Sequence, residues 1–365
     1  MKVIRALIFS SILLIVACAW DDDTLSMEAK GLPTVIDAIV GRIPINPPEY
    51  YHARIKISTE KLKNNPNDLE QYDNLGVACD KIGDSNAAIA WMQKKEKVMK
   101  TQGIKPGTDP LRDPWYRYHA NLGTFYAHKW IRANEPDKLE LLDKAQAELE
   151  TAIKINPKAH FGREIVQLEA IVQMKKYVMN RRFFGAPFHD LVAEHGSDAV
   201  AEGLIGMMTL GNGAESRDML SILSYAVSNN LSSIHELIAH RDKELKSTGK
   251  ARVIEPNLAF GMSRNETGLN KQFIALRENA KEYHQKRTQF ILDQLKAGKH
   301  PDTHADFWTG YEDVPRIDIT KFEPTPVNRF LQRNKYQNAM LVIAGGAIIL
   351  IIPAYIWRRR RLKRV

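Results

Sequence analysis

Through most of the chain between its two ends, apolar residues recur three and four apart, and the runs are broken by Asn-Pro, Gly-Asp and Gly-Lys dipeptides. Little of the sequence alternates apolar with polar in the manner of a half-buried strand. A period near 3.6 puts the apolar residues on one helix face, so the pattern predicts an all-α body. With 365 residues and 44% hydrophobic content, the chain can bury a substantial core.

Part of this helical pattern repeats. Tyr72, Leu75, Gly76 and Cys79 are followed by a Gly83-Asp84 turn and then by Ala88 and Met92, and the same opening returns at His119, Leu122, Gly123 and Tyr126. The second unit continues with Ala145, Leu149, Ala152 and Pro157. An incomplete unit precedes both, with Tyr50 to Lys63 as a helix stopped by Asn65-Pro66. These residues resemble the tetratricopeptide repeat (TPR), a 34-residue helix-turn-helix unit. The resemblance implies stacked hairpins over residues 50–178, an α-solenoid, with a concave face formed by the first helices. Three departures stand out. Cys79 replaces an aromatic, His119 replaces a large apolar residue, and about ten extra residues lie around Lys129 to Lys138.

Residues 179–298 carry further helices, with Arg217 to Val227, Ser232 to Leu245 and Asn270 to Lys296 the clearest. Residues 20–48 read as an N-terminal linker. Residues 299–338, with Pro301, Pro315, Pro324 and Pro326, read as a partly extended connector whose Phe307, Trp308 and Tyr311 pack its first half onto the body.

Both ends carry membrane signals. Lys2 and Arg5 precede the apolar run Ala6 to Ala19, which ends at Trp20 and three aspartates, as a secretory signal at residues 1–19 does. Cleavage after Ala19 is one processing route. The other treats Ile15-Val16-Ala17-Cys18 as a lipobox and makes Cys18 a lipidated first residue. At the far end, residues 339–357 form 19 uncharged residues, about 28 Å as a helix and enough to span a bilayer. Tyr336, Tyr355 and Trp357 suit its interfaces. The basic tail 358–365 belongs in the cytoplasm, so the body lies outside. A surface-sorting tail has the same order of apolar helix and basic end.

That tail also explains the charge. The balance of 52 basic against 43 acidic residues gives +9, but Lys2, Arg5, Arg358, Arg359, Arg360, Arg361, Lys363 and Arg364 hold nearly all of it. The body is close to neutral, which argues against a nucleic-acid partner. Only Cys18 and Cys79 are present, and Cys79 sits at an apolar helix position as core filler.

Catalytic patterns are sparse, and no cofactor motif is visible. His235 and His240 are five apart, about 500° round a helix, and so diverge where zinc-protease histidines four apart converge. His300, Asp302 and His304 have ligand-type spacing and carry the alternative of a metal-dependent envelope hydrolase. The preferred expectation is a non-catalytic scaffold that binds a partner protein on the concave repeat face. The repeat spacing places Glu70, Asp73, Val77, Asp80, Arg117, Ala120, Thr124 and His128 there. Asp73 and Val77 occupy the positions where a C-terminal carboxylate clamp needs Lys and Asn, so that mode of recognition is not expected.

Overall fold

The computed structural model describes residues 21–24, 33–107, 113–133, 135, 138–157, 162–180, 189–210, 213–227, 232–250 and 266–318. The signal with Cys18, the 339–357 span and the basic tail lie outside the described residues. Among those described, no helix is long and apolar enough to cross a membrane.

The described chain is all-α and contains no strand. Helix α1 (Val35–Val40) is short but closed at both ends. Thr34 and Asp37 form a reciprocal capping box, and Gly41 ends the helix at φ 73, the left-handed region that glycine enters without strain. Helix α2 (Pro48–Asn64) starts on a proline whose missing N–H costs the first turn nothing. Helices α3 (Leu69–Lys81) and α4 (Ser85–Thr101) begin at Asp68 and Asp84, whose carboxylates accept from Glu70 N and Ala87 N. Then come α5 (Pro114–Ala133), α6 (Glu140–Ile155) and α7 (Arg163–Asn180).

From α2 to α7 each helix packs on the next, and the short turns make neighbours antiparallel. The hairpins close where the sequence places glycine. A Cβ on Gly76 would stand 2.9 Å from Met92 Cε and 3.0 Å from Phe125 Cε2, and one on Gly123 would stand 2.9 Å from Leu149 Cγ and 3.1 Å from the Ala145 carbonyl. Ala88, Met92, Ala145, Leu149 and Ala152 are fully buried beneath these contacts. Half of the apparent insertion at Lys129 to Lys138 is an added helical turn, since α5 runs to Ala133 and buries Trp130 and Ile131.

Helices α8 (His189–His195), α9 (Ser197–Leu210), α10 (Arg217–Ala226), α11 (Ser232–Ser247) and α12 (Glu266–Lys296) complete the body. α9 lies against α7, α10 against α9 and α11 against α10. The 31-residue α12, about 46 Å long, then packs on α11, α1 and α2. The last helix therefore meets the first two, and the array closes on itself.

Helix α1 serves as the plug of that closure. The region read as a linker contains Ile36, Ala38, Ile39, Val40 and Ile43, all buried in the space bounded by α9, α11 and α12. Its proline-rich flanks hide a helix of under two turns, too short to show a period. Its last carbonyls are satisfied by α12, with Arg277 donating to Val40 O and His284 Nε2 bonding Gly41 O at 2.6 Å. Arg277 also forks onto Glu244 of α11 at 2.8 and 2.9 Å.

Candidate functional site

The eight residues expected on an open concave face do share one side of α3 and α5, but seven of them are buried. Only Glu70 keeps about half its side chain in solvent, at 47%. Asp73 accepts two 2.7 Å bonds from Lys95 and one of 3.0 Å from Asn121, with Arg117 at 3.1 Å. Asp80 meets His128 Nδ1 at 2.5 Å and Arg132 at 2.5 Å. Thr124 Oγ1 accepts from Gln167 of α7 at 3.1 Å, and Ala120 packs with Tyr116 and Ala152. The acids of α3 are thus paired with bases on both α4 and α5. Burial alone would raise the Asp80 carboxyl, but His128 and Arg132 hold it down at about 2. Burial pushes the Lys95 ammonium down to about 8 against the pull of Asp73.

Val77, also buried, faces a different feature. Val77 lines a cavity of about 440 Å³ enclosed by α3, α9, α12, the 44–46 loop and the connector. Tyr51, Tyr283, Trp308 and Tyr311 form aromatic walls, and Ile45 stands at the edge with 40% of its surface exposed. Two cations at the wall are engaged. Lys81 donates to the last carbonyl of α9, Leu210 O, at 2.7 Å, and Arg287 bonds Asn46 at 3.0 Å while lying 4.4 Å above the Trp308 ring.

The remaining wall is residues 21–24. Asp21, Asp23 and Thr24 all line the cavity. Arg54 of α2, wholly buried, donates to Asp21 at 3.0 Å, to Asp23 at 2.7 and 3.2 Å, and through two further bonds of 2.8 and 2.6 Å to Asp302 of the connector. Tyr50 donates to Asp23 at 2.7 Å and Asn46 donates to it at 3.1 Å. One guanidinium therefore joins the segment before α1 to the segment after α12. Burial, then the neighbouring Asp23, push the Asp21 carboxyl up to about 6. Asp23 is also opposed by burial, yet Arg54 keeps its carboxyl below the ordinary range.

His300 and His304 do not converge on a common point as a metal pair would. His300 Nδ1 accepts from Asp302 N at 3.1 Å and its Nε2 contacts Tyr50 O at 3.2 Å, so one ring nitrogen shapes the connector's own turn and the other holds it to α2. His304 Nδ1 lies 2.9 Å from Thr303 Oγ1. Among the described residues no group of three or more ligand-type side chains is placed to hold a metal ion. His240 stacks on Phe273 of α12, 5.3 Å between ring centres, and burial lowers the His235 pKa.

Arg54, Arg287 and the aspartates of residues 21–24 were not among the residues expected to form a site. The acid triplet had a signal of its own, but its place directly after an apolar run makes it read as a processing boundary. No family model matches the chain, and neither a curated protein nor a solved structure matches it.

Proposed function

We propose that this chain is a non-catalytic interaction scaffold, exported and tethered to the cytoplasmic membrane, that engages a protein partner at the cavity inside its helical array. The cavity carries this reading: aromatic walls with a few fixed charges offer a slot of the size that an anchoring side chain of a protein partner fills. The α2 to α7 hairpins are read as tetratricopeptide-like units, supported by the close helix approach at Gly76 and Gly123. The partner site moves inward from the expected first-helix face, because those side chains are buried and bonded to partners on α4, α5 and α7. Membrane attachment rests on the 339–357 apolar run and the basic tail after it, and the near-neutral body speaks for protein rather than nucleic acid.

Site-specific photocrosslinking in intact cells tests the proposal. A photoreactive residue at Ile45, on the cavity edge, is expected to give a discrete protein adduct, and one at Lys100, on the outer side of α4, is expected to give none. Identical adduct patterns from the two positions, or none from Ile45, would overturn the assignment.

A further inference from the structure

Residues 21–24 are held the way a bound peptide is held. Each acid is read separately: Asp21 by Arg54, Asp23 by Arg54, Tyr50 and Asn46, and Asp22 by Asn74 of α3. Asn74 reads Asp22 at two points, accepting its backbone N–H at 3.0 Å and donating to its carboxylate at 2.7 Å. That two-point contact fixes backbone register as well as side-chain chemistry.

The receiving surface does not depend on this stretch for its own charge balance. Arg54 and Asp302 form a two-bond fork, so the guanidinium stays paired when residues 21–24 are elsewhere. Docking then places three carboxylates on one guanidinium in a buried setting, with Arg287 and Lys81 at the same wall but already bonded to Asn46 and Leu210 O, so burying Asp21 and Asp23 remains costly. Burial first, and the neighbouring Asp23 second, raise the Asp21 carboxyl in this setting. Contacts held against such repulsion separate more readily than the neutral fork beneath them. Asp21, Asp23 and Thr24 also form one wall of the cavity, so their departure enlarges the opening.

We propose that Arg54, Asn74, Asn46 and Tyr50 form a receptor for an acidic peptide, filled in cis by the chain's own residues 21–24 and opened when they leave. The proposal concerns this receptor alone and holds independently of whether a partner enters the aromatic part of the cavity.

A labelled peptide copying residues 20–24, Trp-Asp-Asp-Asp-Thr, tests it against the full chain extracted in detergent. The triple variant Asp21→Ala, Asp22→Ala, Asp23→Ala is expected to bind the peptide saturably, with at least tenfold higher affinity than wild type, whose receptor is occupied. Adding Asn74→Ala to that variant is expected to weaken binding at least fivefold, and a peptide with asparagine for each aspartate is expected not to bind. Equal binding by wild type and the triple variant, or no binding by a triple variant that melts cooperatively, overturns the proposal. If the triple variant does not melt cooperatively, Asp22→Ala decides, because it leaves the Arg54 pairs in place. A gain in peptide affinity over wild type supports the receptor, and no gain overturns it.

Discussion

Arg54 and Asp302, 248 residues apart in sequence, face each other through two hydrogen bonds of 2.8 and 2.6 Å at the junction of α2 and the connector. Both side chains are almost wholly buried, at 1% and 2% exposure. Removing one member of such a pair leaves the other charge in a poorly hydrated place, a loss of about 3–5 kcal/mol. Arg54→Met is expected to reach that range, since it strands Asp21, Asp23 and Asp302 together. Asp302→Ala is expected to cost less, because Asp21 and Asp23 still pair with Arg54. Urea unfolding of the two variants checks the order, and an Asp302→Ala loss equal to the Arg54→Met loss would contradict it.

The two hairpin glycines are expected to differ. Overpacking a tight helix contact costs about 1–3 kcal/mol, against a helix-propensity gain of up to about 1 kcal/mol for alanine. At Gly76 the contacts are the flexible end of Met92 and the edge of the Phe125 ring, side-chain atoms that can shift by the few tenths of an ångström required. At Gly123 the contacts are the branch carbon of Leu149 and a backbone carbonyl, which cannot. Gly123→Ala should therefore lower the melting temperature by several degrees, while Gly76→Ala changes it little. Thermal melts followed by circular dichroism compare them directly.

Two aspartates should act on stability with opposite slopes. Asp80 is held at about 2 against an ordinary 3.8, so its contribution is present above pH 4 and is lost as pH falls from about 4 to 2. Asp21 is raised from 3.8 to about 6, so its contribution is full below about pH 4 and is lost as pH rises from 4 to 6. Asp80→Asn is expected to flatten the acid limb of the stability profile. Asp21→Asn is expected to flatten the region between pH 4 and 6 and to leave the chain no less stable at pH 7. Denaturation midpoints across pH 2–8 would show either slope or its absence.

Cys79 is buried in the core around Tyr72, Leu75 and Met92, and burial pushes its thiol up to about 11. It should resist maleimide in the native protein and react once unfolded. Intact mass of the same sample tests whether the proposed export signal is processed at all, an unshortened chain counting against it. A chain starting at Trp20 and a chain carrying lipid on Cys18 differ in mass, and rapid labelling of Cys79 in the native state would refute its burial.

The helices of the 50–178 region were legible because their signals are local. Asp68 and Asp84 cap, Asn65-Pro66 stops, and Leu75-Gly76 and Leu122-Gly123 mark the faces that meet. The shared side of Asp73, Asp80, Arg117 and His128 was legible for the same reason. Its closure was not, although the clue was present: acids on one helix and bases at matching positions 44 and 48 residues later are placed to neutralise each other. Helix α1 escaped because six residues cannot display a 3.6 period. The junction at Arg54 escaped because nothing near residue 54 announces a partner near residue 302. Ring closure is a long-range outcome of packing, whereas periodicity is a property of neighbours.

That closure restricts how the chain can change. An open stack of helical hairpins gains or loses a unit at its end with little disturbance, since each unit touches only its neighbours. Here α12 packs on α11 at one side and on α1 and α2 at the other, so it ties the end of the array to its beginning. Inserting or deleting one hairpin would shift α2 away from α12 and pull Asp302 off Arg54. The closure therefore constrains the unit count, and variation in length should fall in the turns, which leave the contacts of α12 with α1 and α2 in place.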